Sequence, residues 1–369
     1  MVARLSTLSP ASQRLVGDGD VTATTVTPPP PAPAPALAGP TTRALASQDT
    51  FTRLSADVTA GTLPAADAKA ISTGVGELGV IGEAEALRGA HLAEQLPAAD
   101  RATFQALVDA APSETGKAFL YKALAAGHPL SEVQTFAAAI TGWDDAKLES
   151  TLSLSADLAG DGGAQNGVKQ QFEASCVATT AQALRGETDP VYALAVRSQN
   201  TDINQVDDTD AFKVNQALAT EQKHILEDVG GGKATNRNSF DGMGVMNDKL
   251  SSVYNSVSQY TGFTYSSVFS PNLTDAAQAD VLCDGMAKQL QAGIPTPLAI
   301  TSDWGNGGHA ILAVAVEGTG ADQKFLIHDP WDGVTEWVTR PQIEQGTFSI
   351  AGWNRLRCYD AVQPAALPS

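Results

Sequence analysis

Between Gly307-Gly308-His309 and the turn Gly318-Thr319-Gly320 the chain reads Ala310-Ile311-Leu312-Ala313-Val314-Ala315-Val316, apolar without a break. A strand with one wet face alternates, whereas a continuous apolar run belongs to a strand covered on both faces. The rest of the chain must therefore furnish cover for both sides of a sheet. The turn Gly318-Thr319-Gly320-Ala321-Asp322 leads into a second strand pattern, Lys324 to Ile327, which ends at His328-Asp329-Pro330-Trp331-Asp332-Gly333. Two antiparallel neighbours joined by that turn would carry Asp329 back towards His309, at the mouth of the first strand.

The cover is legible as helix. From Gln48 to Leu154 the sequence is rich in Ala and Leu, with two similar starts, Leu63-Pro64-Ala65-Ala66-Asp67 and Leu96-Pro97-Ala98-Ala99-Asp100, where proline suits a first helical turn. An all-helical domain is expected over residues 46–158, with Gly160-Asp161-Gly162-Gly163 as the boundary. Beyond it, Pro190 to Val196, Asp208 to Leu226, Val245 to Tyr260 and Asp275 to Gln291 read as helices. Strands dominate from Phe263 to a last strand, Asn354 to Tyr359. A helix-rich half followed by an antiparallel half is an α+β arrangement, expected over residues 159–363. Residues 1–45, rich in Pro, Ser and Thr, read as a disordered arm without the apolar segment of a signal peptide.

Cys176 is expected to open a helix, with Ser175 as its cap and Gly186 as its stop. Val177, Thr180, Ala181 and Leu184 then share one face. The unpaired N–H groups and partial positive charge of a helix N-terminus favour a thiolate, the attacking form of cysteine. A lone cysteine would read as a small buried hydrophobe; here a histidine able to act as base and a carboxylate able to orient it follow in the chain. Cys176, His309 and Asp329 thus have the composition of an activated-nucleophile triad. His328, on the opposite strand face from Asp329, is the fallback base, and Asp332 is the competitor for Asp329. Trp304, Trp331 and Trp337 are expected to wall the cleft.

These motifs resemble the papain-like cysteine peptidases, most closely the bacterial branch of double-glycine leader peptidases and related secreted effector peptidases. A glutamine stands ahead of the cysteine at the family's spacing (Gln170), the histidine opens a hydrophobic strand, and Asp329-Pro330 is followed by Gly333. A helix running into Gly293-Ile294-Pro295 before the histidine strand is shared too. Two departures stand out: Val177 occupies a position that is often glycine, and the stretch from Leu184 to Gln278 is long for that branch. The resemblance implies a two-lobed domain, one helical lobe and one antiparallel lobe, with the cleft between Cys176 and His309. It implies Cys176 as nucleophile, His309 as base, Asp329 as orienter and the Gln170 amide as an oxyanion-hole donor, with Gln171 as the alternative.

The expected activity is peptide-bond hydrolysis on a protein or peptide substrate. The alternatives are a glutamine deamidase or acyl transferase using the same triad, and a catalytically idle binding module. A net charge of -18 over 369 residues speaks against nucleic acid and anionic membranes as partners. Three cysteines make no disulfide framework, and Cys283 and Cys358 read as packing residues. The five histidines lack zinc-ligand spacing, so neither metal nor cofactor is expected. No membrane span is apparent. The helical domain is expected to bind substrate, a host target or a chaperone, or to act as a prosegment. The chain as a whole is expected to be a bacterial effector or toxin exported without a cleaved signal, and cytoplasmic if not exported.

Overall fold

The computed structural model describes residues 48–75, 80–155, 166–199, 202–302 and 307–364. The expected arm, the glycine boundary at 160–163 and Trp304 lie outside the described residues. Helices come first: α1 (Gln48–Thr59), α2 (Ala65–Val75), α3 (Glu83–Gln95), α4 (Ala98–Ala110), α5 (Glu114–Ala125), α6 (Leu130–Ala139), α7 (Asp145–Thr151), α8 (Cys176–Thr188) and α9 (Pro190–Arg197). There follow α10 (Gln216–His224), α11 (Leu250–Asn255), α12 (Ser258–Thr261), β1 (Phe263–Phe269), α13 (Ala276–Gln291), β2 (Thr296–Thr301), β3 (His309–Glu317), β4 (Lys324–Asp329), β5 (Val334–Thr339), α14 (Arg340–Gln345) and β6 (Arg355–Pro364). The fold is α+β, built on a six-stranded sheet of order β1-β6-β2-β3-β4-β5 in which every neighbouring pair is antiparallel.

The apolar run becomes β3, central between β2 and β4. Its first half is buried on both faces, as expected, while Val314 to Val316 are half-buried and Glu317 is exposed. Ala310 and Leu312 join the core that contains α8, whereas Ile311 and Ala313 join one containing Leu282, Cys283 and Met286 of α13. The sheet is thus sandwiched between α8 and α13 at the strand that carries His309. Each large apolar side chain buried there stabilises the sandwich by roughly 1.5–3 kcal/mol relative to exposure.

Several local expectations are revised. The two proline-led starts do open α2 and α4, with the proline just ahead of the first helical residue. Asp208 to Leu226 is not one helix. Asn215 caps a fresh start at Gln216 by accepting the N–H of Leu218, and Ile225–Val229 continues α10 as a π-helical turn. Val245 to Tyr260 breaks into α11 and α12, because Asn255 turns its side chain to both the N–H and the carbonyl of Tyr265 in β1. The last strand is longer than its pattern suggested and is inserted between β1 and β2.

Gly186 does not stop α8. The helix continues to Thr188, and Asp189 then caps α9. The reason for glycine is space: a Cβ at Gly186 would lie 2.4 Å from Cγ of Leu154. Next to it, the Glu187 carboxylate accepts from Ser153 Oγ at 2.8 Å, Leu154 N at 2.9 Å and Ser155 N at 2.8 Å. The end of the leading helical segment is thereby fastened to α8. Farther up, Gly82 packs backbone to backbone on Gly293, and Arg88 Nη2 donates to the carbonyl of Gln259 at 3.3 Å. One hydrophobic cluster runs from Leu54 and Phe119 through Cys176 and Leu184 to Tyr265 and Val362. The helices of residues 48–151 and the sheet share it. Among the described residues, no helix is long and apolar enough to cross a membrane.

Candidate active site

Cys176 is the first residue of α8, a helix buried on nearly every side rather than along one face: Cys176 to Leu184 and Gly186 to Thr188 are all buried. Ser175 is the residue before it, but its hydroxyl does not cap the helix. The Oγ donates instead towards the Phe172 carbonyl at 3.2 Å and Gln222 Oε1 at 3.1 Å, and it accepts the Phe172 N–H. A serine that capped with its side chain would occupy an N–H of the first turn. Here the hydroxyl braces the preceding loop and caps no amide of the first turn.

His309 stands at the mouth of β3 and Asp329 at the end of β4. Nε2 of His309 lies 2.6 Å from Asp329 Oδ1, and the same oxygen accepts the N–H of Trp331 at 2.8 Å. Nδ1 makes no hydrogen bond of good geometry. Cys176 is its neighbour, close enough to act on the ring by contact and by charge. Burial disfavours the imidazolium, but the Asp329 carboxylate outweighs it, with Cys176 adding to the same effect, and together they push the His309 pKa up to about 10. For Asp329 burial likewise works against the charged form, while His309 and the Trp331 N–H hold its pKa below the ordinary carboxylate value. The group is shut away: Cys176 is 3% exposed, His309 1% and Asp329 5%.

The competing residues sit elsewhere. Asp332 caps the turn by accepting the Val334 N–H at 3.2 Å, so the structure brings Asp329 and not Asp332 to the histidine. His328, fully buried, approaches the Val168 carbonyl with Nε2 at 3.2 Å, and burial pulls its pKa down to about 4. It is a neutral brace for the loop ahead of Cys176. Of the expected tryptophans, Trp331 belongs to the loop of Asp329, whereas Trp337 packs under Lys324, whose Nζ is 4.3 Å from its ring centroid. Cys283 and Cys358 are buried, and desolvation raises both thiol pKa values, that of Cys283 to about 12.

Gln170 is fully buried ahead of the thiol, but its amide is not poised for an oxyanion. Nε2 donates to the carbonyls of Phe172 at 2.9 Å and Glu173 at 3.0 Å, so both amide hydrogens are committed, and Oε1 is buried without a partner. Gln171 Nε2 is equally engaged, with the Lys169 and Gln205 carbonyls. Two residues that sequence reasoning did not single out hold this loop. Gln222 on α10 accepts the Gln171 N–H at 2.7 Å and donates to the Lys169 carbonyl at 3.1 Å. Arg237 donates to the Gln170 carbonyl at 3.0 Å. Both come from the long stretch after Leu184, whose length was the one signal in the sequence that something there serves the site. Among the described residues, no cluster of His, Cys, Asp and Glu could hold a metal ion.

A scan of the chain against protein-family models gave no match, and a search among curated proteins gave none either.

Proposed function

We propose that this protein is a cysteine peptidase of papain-like, two-lobed architecture, with α8 in the helical lobe and the sheet as the other. The observation that supports it most is the short His309–Asp329 contact beside a thiol at a helix start. Nothing in a merely structural strand end requires a buried histidine to be paired with a carboxylate on one side and left open to cysteine on the other. Cys176 attacks as the thiolate, the reactive form of cysteine, beside the His309 imidazolium that Asp329 keeps charged. The sulfur attacks a carbonyl carbon, and the C=O electrons move onto oxygen. N–H groups at the start of α8 stabilise that oxyanion, joined by Gln170 Nε2 once it exchanges the Phe172 and Glu173 carbonyls for the substrate oxygen. His309 gives its proton to the leaving nitrogen as the C–N bond breaks, leaving a thioester. Water, deprotonated by His309, then displaces the sulfur and releases the acid.

A thiol-directed probe tests the nucleophile: labelling is expected in the wild type and lost in Cys176→Ala, and labelling that survives the substitution sinks the assignment. Proteomic mass spectrometry of lysate treated with the protein tests the reaction. New peptide termini are the expected outcome; an amide-to-acid mass change without new termini would replace hydrolysis of the backbone with deamidation. Export as a bacterial effector is a further part of the proposal and rests on the composition of the N-terminal arm.

A further inference from the structure

Arg237 reaches out of the long stretch after Leu184 and touches both halves of the site. Its Nη1 donates to the Gln170 carbonyl at 3.0 Å and to the Trp331 carbonyl at 2.9 Å. The guanidinium carbon lies 4.1 Å from the centroid of the Trp331 ring, and Nε is 3.5 Å from Asp208 Oδ1. The residue is only 9% exposed. Those two carbonyls have different jobs. Gln170 begins the segment that ends in Cys176, while Trp331 is the residue whose N–H holds Asp329 Oδ1. The two segments also meet directly, Gln170 N donating to the Pro330 carbonyl at 2.7 Å.

We propose that Arg237 is a positioning residue of the active site, its guanidinium bridging the Gln170 and Trp331 carbonyls so that the thiol segment and the Asp329 loop keep a fixed separation. The proposal rests on the cysteine-nucleophile reading. Its chemistry follows from the arginine head group, which is planar, stays protonated, and can donate in its plane while its face stacks on an indole. Without the bridge, the Trp331 peptide loses one of its restraints. Asp329 is then held less firmly, and the imidazolium that it supports loses stabilisation. Lysine would keep the charge and reach one carbonyl or the other, but it could not stack as a plate on Trp331.

The test is the rate at which iodoacetamide alkylates each cysteine of the full chain, followed by mass spectrometry from about pH 5 to about pH 9, a span covering ordinary histidine and cysteine titration. In the wild type, Cys176 is expected to react faster than Cys283 and Cys358. In Arg237→Met, the acid limb of the Cys176 profile should move to higher pH, with a rate loss on the order of tenfold at the acid end, as a one-unit shift produces. The alkaline end should change little, and Arg237→Lys should restore part of the acid limb. A purely structural residue would slow alkylation, or hasten it, alike at every pH. An unmoved acid limb in Arg237→Met with Cys176 still the fastest thiol overturns the proposal and leaves the nucleophile reading intact. If Arg237→Met does not fold, Arg237→Lys decides by the same criterion. Should wild-type Cys176 react no faster than the other two thiols, the nucleophile reading falls and the proposal with it.

Discussion

Nε2 of His309 stands 2.6 Å from Oδ1 of Asp329, and that oxygen also accepts the Trp331 N–H, so carboxylate, ring and loop are tied together at one buried atom. The pairing makes Asp329→Asn the most informative single change. It should preserve the fold while reducing kcat by about 10⁴, as when a triad carboxylate is replaced and the imidazole loses its orientation. Steady-state kinetics with circular dichroism as a control checks this.

The same pair predicts a pH window of stability. His309 has a folded pKa above its ordinary value, so its contribution is complete below about 6.5 and fades as pH rises through about 10. Asp329 has a folded pKa below its ordinary 3.8, so its contribution is present above that value and is lost as pH falls through the depressed one. The difference in Tm between wild type and Asp329→Asn should therefore be largest between about pH 4 and 6.5 and shrink towards pH 10. A difference that grows with pH would contradict the sign.

Gln170→Ala separates two duties of one amide. Its Nε2 serves the Phe172 and Glu173 carbonyls, and leaving buried carbonyls unsatisfied costs about 1–3 kcal/mol. If the amide also turns to the oxyanion, kcat should fall by about 10²–10³. We expect both effects; a loss of stability with kcat unchanged would leave Gln170 as a brace of the loop only.

Gly186→Ala should destabilise the protein although alanine is the better helix former by about 1 kcal/mol. The added methyl meets Leu154 at 2.4 Å, and overpacking of this kind costs about 1–3 kcal/mol. Leu154→Ala in the same chain should recover part of the loss. Additive effects in denaturant titrations of the double-mutant cycle would rule out the steric explanation.

His128, just before α6, offers a second pH prediction. Its ring nitrogens lie 2.7 Å from Glu132 and 2.7 Å from Asp189, which also pairs with Arg185 and caps α9. Burial alone would lower the His128 pKa, but the two carboxylates raise it. Its stabilising effect is thus full below the ordinary histidine value and is lost as pH rises through the raised one. The Tm advantage of wild type over His128→Gln should decline from acid to alkaline pH, and a flat difference would exclude the charged bridge.

Much of the site could be read along the chain because each part depends on neighbours in sequence. The start of α8 at Cys176 follows from the helical pattern behind it, and the meeting of His309 with Asp329 follows from two strands joined by one short turn. The choice of Asp329 over Asp332 was left open by the chain and made by the fold, in which Asp332 is taken up by its own turn. Ser175 and Gly186 were misread for a common reason. Each has a local role by residue type, cap and stop; Ser175 instead ties the preceding Phe172 to Gln222 on α10, and Gly186 makes room for Leu154.

The sequence by itself therefore determined the α+β character, the buried strand, the helix start and the places of Cys176, His309 and Asp329 at a helix start, a strand mouth and a strand end, all set by short-range periodicity and turn chemistry. Only the tertiary structure decided that α8 is enclosed on nearly every side, that β6 enters the sheet between β1 and β2, that the amide of Gln170 is already occupied, and that Arg237 spans the two halves of the site. The Gln170 amide turns back on carbonyls two and three residues ahead; the other features are contacts between segments far apart in the chain, satisfied by whichever polar group or void the packed core presents, and no local pattern encodes such a partner.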